Sequence, residues 1–488
     1  MQRKFITNLI LLLFLNLLIK PFWILGVDLA VQKNVGVGNY GFYYAVFNFS
    51  FLFNIFLDMG ITNFNNRNIA QNNHLLNKHF SSILLLKLML GFSFIILTYI
   101  IGLLIGYNAD QLKILGWMVF NQFLISFVLY LRSNISGLLL FKTDSLISVL
   151  DRFLMIIFTS ILLWGNVTRE AFKIEWFIYC QTAAYFVTAI IALLVVMRKS
   201  AFQKLHWNWP FFMMIVKKSF PYAVLVLLMT FYNRIDSVMI ERILPENFGN
   251  EQVGIYASAY RLLDATNMIA YLFSVLLLPL FAHMISKREP VTDLVKLSFD
   301  LLFTVSVIIA SICFTYSEFI MGMLYKTHIK ESSEIFRLIM IGFIPISATY
   351  IFGTLLTANG NLKELNIVAG SGMILNITLN LILIPRLFAQ GSAFSSLITQ
   401  SLTAAIQVFI ACKVFSFKFS NRFVSFHIFF VFLLMASLFF THKFIGESIG
   451  SIIIAGIIGI ILSIVFGLLP LTKVIEIVKA RFISQNEQ

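Results

Sequence analysis

Residues 451–469 read SIIIAGIIGIILSIVFGLL, nineteen positions with no charge and no apolar/polar alternation. Such a run has no polar face to turn to water. A helix of that length, rising 1.5 Å per residue, crosses the hydrocarbon layer of a bilayer. A membrane strand would alternate with period two in segments of about ten residues, which this run does not. Working backwards from it, the same texture recurs throughout the chain. About fourteen apolar blocks of roughly 18 to 27 residues are separated by short polar gaps. Of the 488 residues 59% are hydrophobic and only 12% charged, and the mean hydropathy is +0.89. Lipid offers backbone groups no hydrogen-bond partner, so each block is expected to be a helix.

The gaps exclude several functions. The largest, Arg198–Phe220, is too short to hold a soluble catalytic domain. Cys180, Cys313 and Cys412 are isolated within apolar blocks, with neither disulfide nor metal-ligand spacing. No GxxxxGK phosphate loop is present, so nucleotide hydrolysis in this chain is not expected and no cofactor is implied. GVGNYG, Gly36 to Gly41, has the spacing of a dinucleotide fingerprint but sits between two membrane blocks, where a tight turn is the better account. Met1 to Ile19 has the basic flank of a signal peptide, yet its apolar run resumes after Lys20-Pro21, so it is expected to remain as the first membrane helix.

Basic residues in short loops set orientation. With the N-terminus inside, about 21 of the 36 Lys and Arg fall on the inner side, among them Arg3, Lys4, Arg67, Lys78, Lys204, Lys217, Lys218, Lys418 and Arg422. An even helix count then puts both termini in the cytoplasm. The net charge of +14 is thus mostly topology and does not imply nucleic-acid binding.

The chain divides at its longest inner gap. The expected organisation is an N-lobe at 1–200 with helices one to six, a linker at 201–218, a C-lobe at 219–415 with helices seven to twelve, and two further helices with a tail at 416–488. The lobes are weakly alike. YGFYYAVFNF opens block two and VGIYASAYRL opens block eight, so that Gly41 and Tyr43 match Gly254 and Tyr256. SGLLLF and FGTLLT match at nearly the same offset. Six helices is an even number, so the repeats are parallel, an arrangement that builds transporters around a central site.

Ionisable residues at membrane depth mark that site, because each costs about 2.5–3.5 kcal/mol at the helix centre on insertion scales. Lys20 lies mid-block beside Pro21, whose missing N–H predicts a kink. Arg234 lies mid-block in the second half, about as far before Gly254 as Lys20 is before Gly41. Related by a pseudo-twofold axis, they are expected to face one another across a wet central cleft, with Arg261 nearby. Arg binds phosphate at two points and Lys acts as a point charge, so the cluster suits an anionic substrate. The competing reading is that each cation simply pairs with a neighbouring acid, as Arg261 could with Asp264 one turn on. Asp236 and Asp264 are the candidates for carrying a coupling ion. Lys87, Arg152 and Asp58 are lesser cavity or gate candidates, and snorkelling or capping would also explain them. Among the histidines only His427 lies well inside a block.

The stretch at 36–70, GVGNYGFYYAVFNFSFLFNIFLDMGITNFNNRNIA, resembles the opening of polysaccharide biosynthesis membrane proteins, the Wzx-type O-antigen flippases. These are relatives of the multidrug and toxic-compound extrusion transporters. YNRIDSVMI at 232–240, followed by VGIYASAYRLLD at 253–264, is similar to the same family's second half. The resemblance implies an all-α membrane fold of two six-helix lobes plus two helices, a bacterial inner-membrane location, and a transporter rather than an enzyme. The implied task is moving an O-antigen or capsule repeat unit on a polyprenyl diphosphate to the outer leaflet, by alternating access coupled to a proton or sodium ion. Other polysaccharide-assembly membrane proteins are the implied partners. Lys20, Arg234 and Arg261 match positions where relatives put cations, and Asp28 and Asp58 are weaker matches. A multidrug antiporter is the nearest alternative and a membrane glycan polymerase or ligase a more distant one. The first predicts acids dominating the cavity; the second needs a substantial outer loop, and the outer gaps are short.

Overall fold

A computed structural model describes residues 14–16, 18–62, 65, 69, 75–138, 140–165, 167, 170–200, 207–417 and 421–468. Arg3, Lys4, Arg67, Lys204 and Lys418, counted above for orientation, lie outside the described residues, as do 201–206 of the expected linker and 469–488 of the expected tail. Among the described residues there is no strand.

The helices are α1 (Phe14–Val35), α2 (Val37–Leu52), α3 (Leu75–Leu104), α4 (Ala109–Gly137), α5 (Phe141–Trp164), α6 (Ile174–Met197) and α7 (Trp209–Ile243). They continue as α8 (Glu246–Ser286), α9 (Thr292–Thr315), the short α10 (Ser317–Leu324), α11 (Ile329–Asn359), α12 (Leu362–Phe415), α13 (Asn421–Ile445) and α14 (Ile449–Val465). By length and composition, ten helices among the described residues can cross a membrane, and α14 is a shorter apolar helix. One of the ten, α12, is broken at Phe388 (φ 52, ψ −134), three residues after Pro385. Proline removes a helical hydrogen bond, and the positive φ at Phe388 redirects the chain. The apolar blocks at 364–386 and 388–412 are therefore its two arms. The blocks read from the sequence map onto α1 to α9, α11, the arms of α12, α13 and α14, which agrees with the expected all-α membrane fold.

The chain forms two compact units. One comprises Met1–Ala265 with Ala369–Ser392, and the other Thr266–Val368 with Ala393–Gln488. Within the first, α4 packs against α6 and α2, α2 against α7, and α5 against α6. Within the second, α9 packs against α11, α13 and α14. Val307, Ile308, Phe430, Leu434, Leu438 and Ala455 form a buried apolar cluster there.

Two glycines decide one crossing in the first unit. A Cβ on Gly41 would meet the carbonyl oxygen of Asn250 and lie 2.7 Å from the amide nitrogen of Gly254. A Cβ on Gly254 would in turn meet the carbonyl oxygen of Val37 and lie 2.5 Å from Val37 Cγ1. So α2 and α8 touch backbone to backbone at the glycines that the repeat comparison had equated. Small residues allow this approach, and in lipid such packing replaces the hydrophobic drive of water. Gln32 Nε2 donates to the Gly254 carbonyl at 3.1 Å and ties α1 to the same crossing. Gly36 (φ +83) makes the turn between α1 and α2 and accounts for the start of GVGNYG.

Gly41→Leu is therefore expected to destabilise the detergent-solubilised protein by about 1–3 kcal/mol, the usual cost of overpacking. Gly38→Ala, where a Cβ meets nothing within 4 Å, is expected to leave the thermal midpoint unchanged. Equal midpoints for both variants would remove the crossing from this account.

Candidate functional site

The charged residues at depth on α1, α3, α4, α5, α7 and α8 belong to the first unit. α1 does not stop at Lys20-Pro21. It loosens into a π-helical stretch over Trp23–Asp28 before resuming as an α-helix. A π segment widens the turn and rotates the residues beyond it, a feature common at functional sites. It ends on Asp28.

Asp28 is the partner of Arg261. Arg261 Nε lies 3.0 Å from Asp28 Oδ2, and the two side chains are 3% and 15% exposed. The Tyr40 hydroxyl donates to both oxygens of Asp28 at 3.0 Å. The Arg261 guanidinium carbon stands 4.7 Å from the centre of the Tyr40 ring. One tyrosine thus holds the acid with its hydroxyl and the cation with its π face.

Arg234 grips Asp264 at two points, with Nη1 to Oδ2 and Nη2 to Oδ1 both 3.1 Å. Its guanidinium carbon is 5.2 Å from the Tyr260 ring centre and 5.6 Å from that of Phe51. This pair is more open, at 23% and 31% exposure. Arg261 therefore pairs with α1 and not with Asp264 one turn along its own helix, while Asp264 serves α7.

Lys20 is partly buried and lies in the electrostatic field of Arg152, Asp151 and Arg132. Arg152 donates to the Tyr185 hydroxyl at 2.9 Å and lies 3.9 Å from Asp151 Oδ2. Arg132 holds Asp144 at two points, 2.8 and 3.3 Å. Lys20, Arg234 and Arg261 all fall in the first unit, which takes in the opening of the expected C-lobe.

Asp236 has a different setting. It is 1% exposed and accepts hydrogen bonds from the Tyr256 hydroxyl at 2.7 Å, Asn380 Nδ2 at 2.7 Å and Asn376 Nδ2 at 3.2 Å. All three donors are neutral. Asn376 and Asn380 stand one turn apart on α12 and so share a helix face. That spacing was visible in the sequence; which acid it serves was not. Arg132, Asp144, Tyr40 and Tyr185 also went unremarked, because each partner lies on a different helix and helix spacing does not pair residues between helices.

Lys87 and Asp58 are together, the ammonium enclosed and the carboxylate 26% exposed. Lys87 is 2% exposed, and its Nζ donates to Asp58 Oδ1 at 2.5 Å, the Leu57 carbonyl at 2.9 Å and Ser126 Oγ at 3.1 Å. Asp58 follows the 3₁₀ turn Asn54–Leu57 that ends α2, and also accepts from Thr62. The ammonium thus joins the frayed end of α2 to α4. In the second unit, His427 Nε2 of α13 lies 3.2 Å from Asp300 Oδ1 of α9. Among the described residues no group of three or more His, Cys, Asp or Glu is placed to hold a metal ion.

Removing the enclosed ammonium leaves the Leu57 carbonyl and Ser126 hydroxyl without it and Asp58 without its cation. Lys87→Met is expected to cost about 1–3 kcal/mol of stability, read as a fall in the thermal midpoint in detergent. Adding Asp58→Asn should recover most of it. A single variant as stable as the parent would show that the pair does not hold the end of α2.

Several solved structures share this arrangement of helices. The lipid II flippase MurJ, in an inward closed conformation, superposes with a TM-score of 0.70 over 97% of this chain and 99% of its own, at 14% identity. A MOP superfamily transporter from Pyrococcus furiosus, described as having a binding pocket of reversed polarity, gives 0.63 over 84% and 95%, at 13% identity. A mutant form of the Vibrio cholerae MATE transporter VcmN gives 0.58 over 84% and 96%, at 14% identity. These likenesses establish the fold as that of the MOP transporters. No curated protein sequence matches the chain. The family model described as polysaccharide biosynthesis protein matches residues 6–285, more than half of the chain and all of the helices that carry the arginine and lysine pairs of the first unit, and the chain belongs to that family.

Proposed function

We propose that this chain is a flippase that moves a polyprenyl-diphosphate-linked oligosaccharide, an O-antigen or capsule repeat unit, from the cytoplasmic to the outer leaflet of a bacterial inner membrane. Family and fold make it a flippase-type transporter of polysaccharide biosynthesis. The observation that supports the finer reading is the set of buried and partly buried arginines within the apolar helices of the first unit. Arg234, its two-point edge on Asp264, lies in a partly open position, and Arg261 lies seven residues beyond Gly254 on the adjoining α8.

The chemistry follows from charge. A diphosphate headgroup cannot enter hydrocarbon unaided, and fixed guanidinium groups replace the water that would otherwise surround it. The isoprenoid tail has no such need and stays in lipid. Lys20, with Arg152 close by on α5, adds positive potential beside α1 without a two-point fork. Exposure of this cluster first to one side and then to the other moves the headgroup. The orientation set by the loop cations places both termini in the cytoplasm.

Of the two carboxylates considered for ion coupling, Asp236 suits the task. It is fully enclosed, lacks a cationic partner among its hydrogen bonds, and is ringed by neutral donors that can reorganise around a proton or a sodium ion. Asp264 is engaged by Arg234. Association with other polysaccharide-assembly membrane proteins completes the reading.

Complementation of a flippase-null strain of known glycan structure tests it. The parent chain should restore surface glycan, and Lys20→Ala with Arg234→Ala should cut that by about tenfold or more, equivalent to ~1.4 kcal/mol, at unchanged membrane abundance. Full activity of the double variant would remove the site. Failure with every glycan, together with drug export, would favour the multidrug antiporter. In proteoliposomes Asp236→Asn should make transport indifferent to an imposed proton or sodium gradient; an undiminished response would take coupling elsewhere.

A further inference from the structure

Both arginines assigned to the headgroup already hold an anion. Asp264 offers Arg234 two oxygens, each 3.1 Å from a different terminal nitrogen, which is the way two phosphate oxygens would meet the same fork. Asp28 meets Arg261 at 3.0 Å, and the Tyr40 hydroxyl stands 3.0 Å from both of its oxygens. A guanidinium edge occupied in this manner cannot give the same two contacts to a diphosphate. To take that same edge, the substrate must displace the carboxylate.

We propose that Asp264 and Asp28 are internal substitutes for the substrate's phosphates, holding Arg234 and Arg261 when the carrier is empty and reclaiming them when the diphosphate leaves. The inference rests on the headgroup reading above and concerns how that site binds and lets go. Three features support it. An empty carrier must return across the cycle, and an unanswered guanidinium at membrane depth is costly, whereas a guanidinium–carboxylate pair carries no net charge. A tethered acid acts at high effective concentration, so it competes with a bound phosphate without being consumed. And the two pairs differ in access. Arg234 and Asp264 are 23% and 31% exposed, while Arg261 and Asp28 are 3% and 15% exposed and clasped by Tyr40. An incoming anion therefore meets Arg234 first, and Asp264 is the first acid displaced.

A simple strut between α7 and α8 would have the opposite signature. Neutralising a strut weakens folding and binding together, whereas neutralising a competitor strengthens binding and slows release. The probe is farnesyl diphosphate, titrated calorimetrically into the purified full-length protein in detergent, with farnesol as the uncharged control. Asp264→Asn should bind the diphosphate about tenfold more tightly than the parent, Asp264→Glu should return to near the parent value, and Asp28→Asn should show a smaller gain. Arg234→Gln should weaken binding.

Loss of affinity in Arg234→Gln combined with no gain in either Asn variant would overturn the substitute role and leave the headgroup site standing. Unchanged affinity in Arg234→Gln would overturn the site itself. Should Asp264→Asn not fold, Asp28→Asn tests the same competition at Arg261; failure of both to fold would identify the acids as struts and end the proposal.

Discussion

A positive charge at the depth of lipid chains must be answered, and the answers shape the first unit of this protein. Arg261 is answered by Asp28 and the face of Tyr40, Arg234 by Asp264, Arg132 by Asp144, and Lys87 by Asp58 with a helix-end carbonyl. Each answer joins two helical segments, and that of Arg261 spans more than two hundred residues. α1 is bound to α8, α7 to α8, and the end of α2 to α3. The apolar surfaces of these helices could slide against one another at little cost, because lipid is as apolar as they are. The ion pairs and the glycine crossing at Gly41 and Gly254 fix the register.

The same pairs divide by access into two kinds. The Lys87 ammonium is enclosed, with three acceptors that tie it to the 3₁₀ turn ending α2, so its role is structural. Arg234 and Asp264 are the more open, and the aromatic rings of Phe51 and Tyr260 flank the guanidinium without blocking its edge. Asp236 is a third case, a carboxylate with amide and phenol partners and no cation among them. The proposed transport cycle would use all three: fixed joints, a charge that changes partners, and an acid whose occupancy varies. Here they sit within one compact unit.

Much of this was legible in the sequence, for definable reasons. The apolar blocks announce the helices because lipid penalises every exposed backbone group. Even the break in α12 shows as the gap between the blocks at 364–386 and 388–412, just after Pro385. Charges within blocks mark candidate site residues because each is expensive. Their pairing was not legible. Arg261 has Asp264 one turn away and still pairs with Asp28, more than two hundred residues earlier, because the π stretch after Pro21 ends on that acid and the backbone contact of α2 with α8 brings Tyr40 against it. Likewise Asn376 and Asn380 mark a polar stripe on an apolar helix, but only the fold shows that it faces Asp236. Periodicity reports which side of a helix is unusual and not what stands opposite.

The central claim is that fixed cations carry a phosphorylated headgroup across the membrane. It is tested most directly by reconstituting the purified protein in liposomes and following two fluorescent lipids of equal chain length, one a polyprenyl diphosphate glycoside and the other a glycoside joined through an uncharged linker. The account predicts protein-dependent translocation of the diphosphate and only the background rate for the uncharged lipid. Equal acceleration of both would show that the headgroup's charge is not what this protein recognises, and would contradict it.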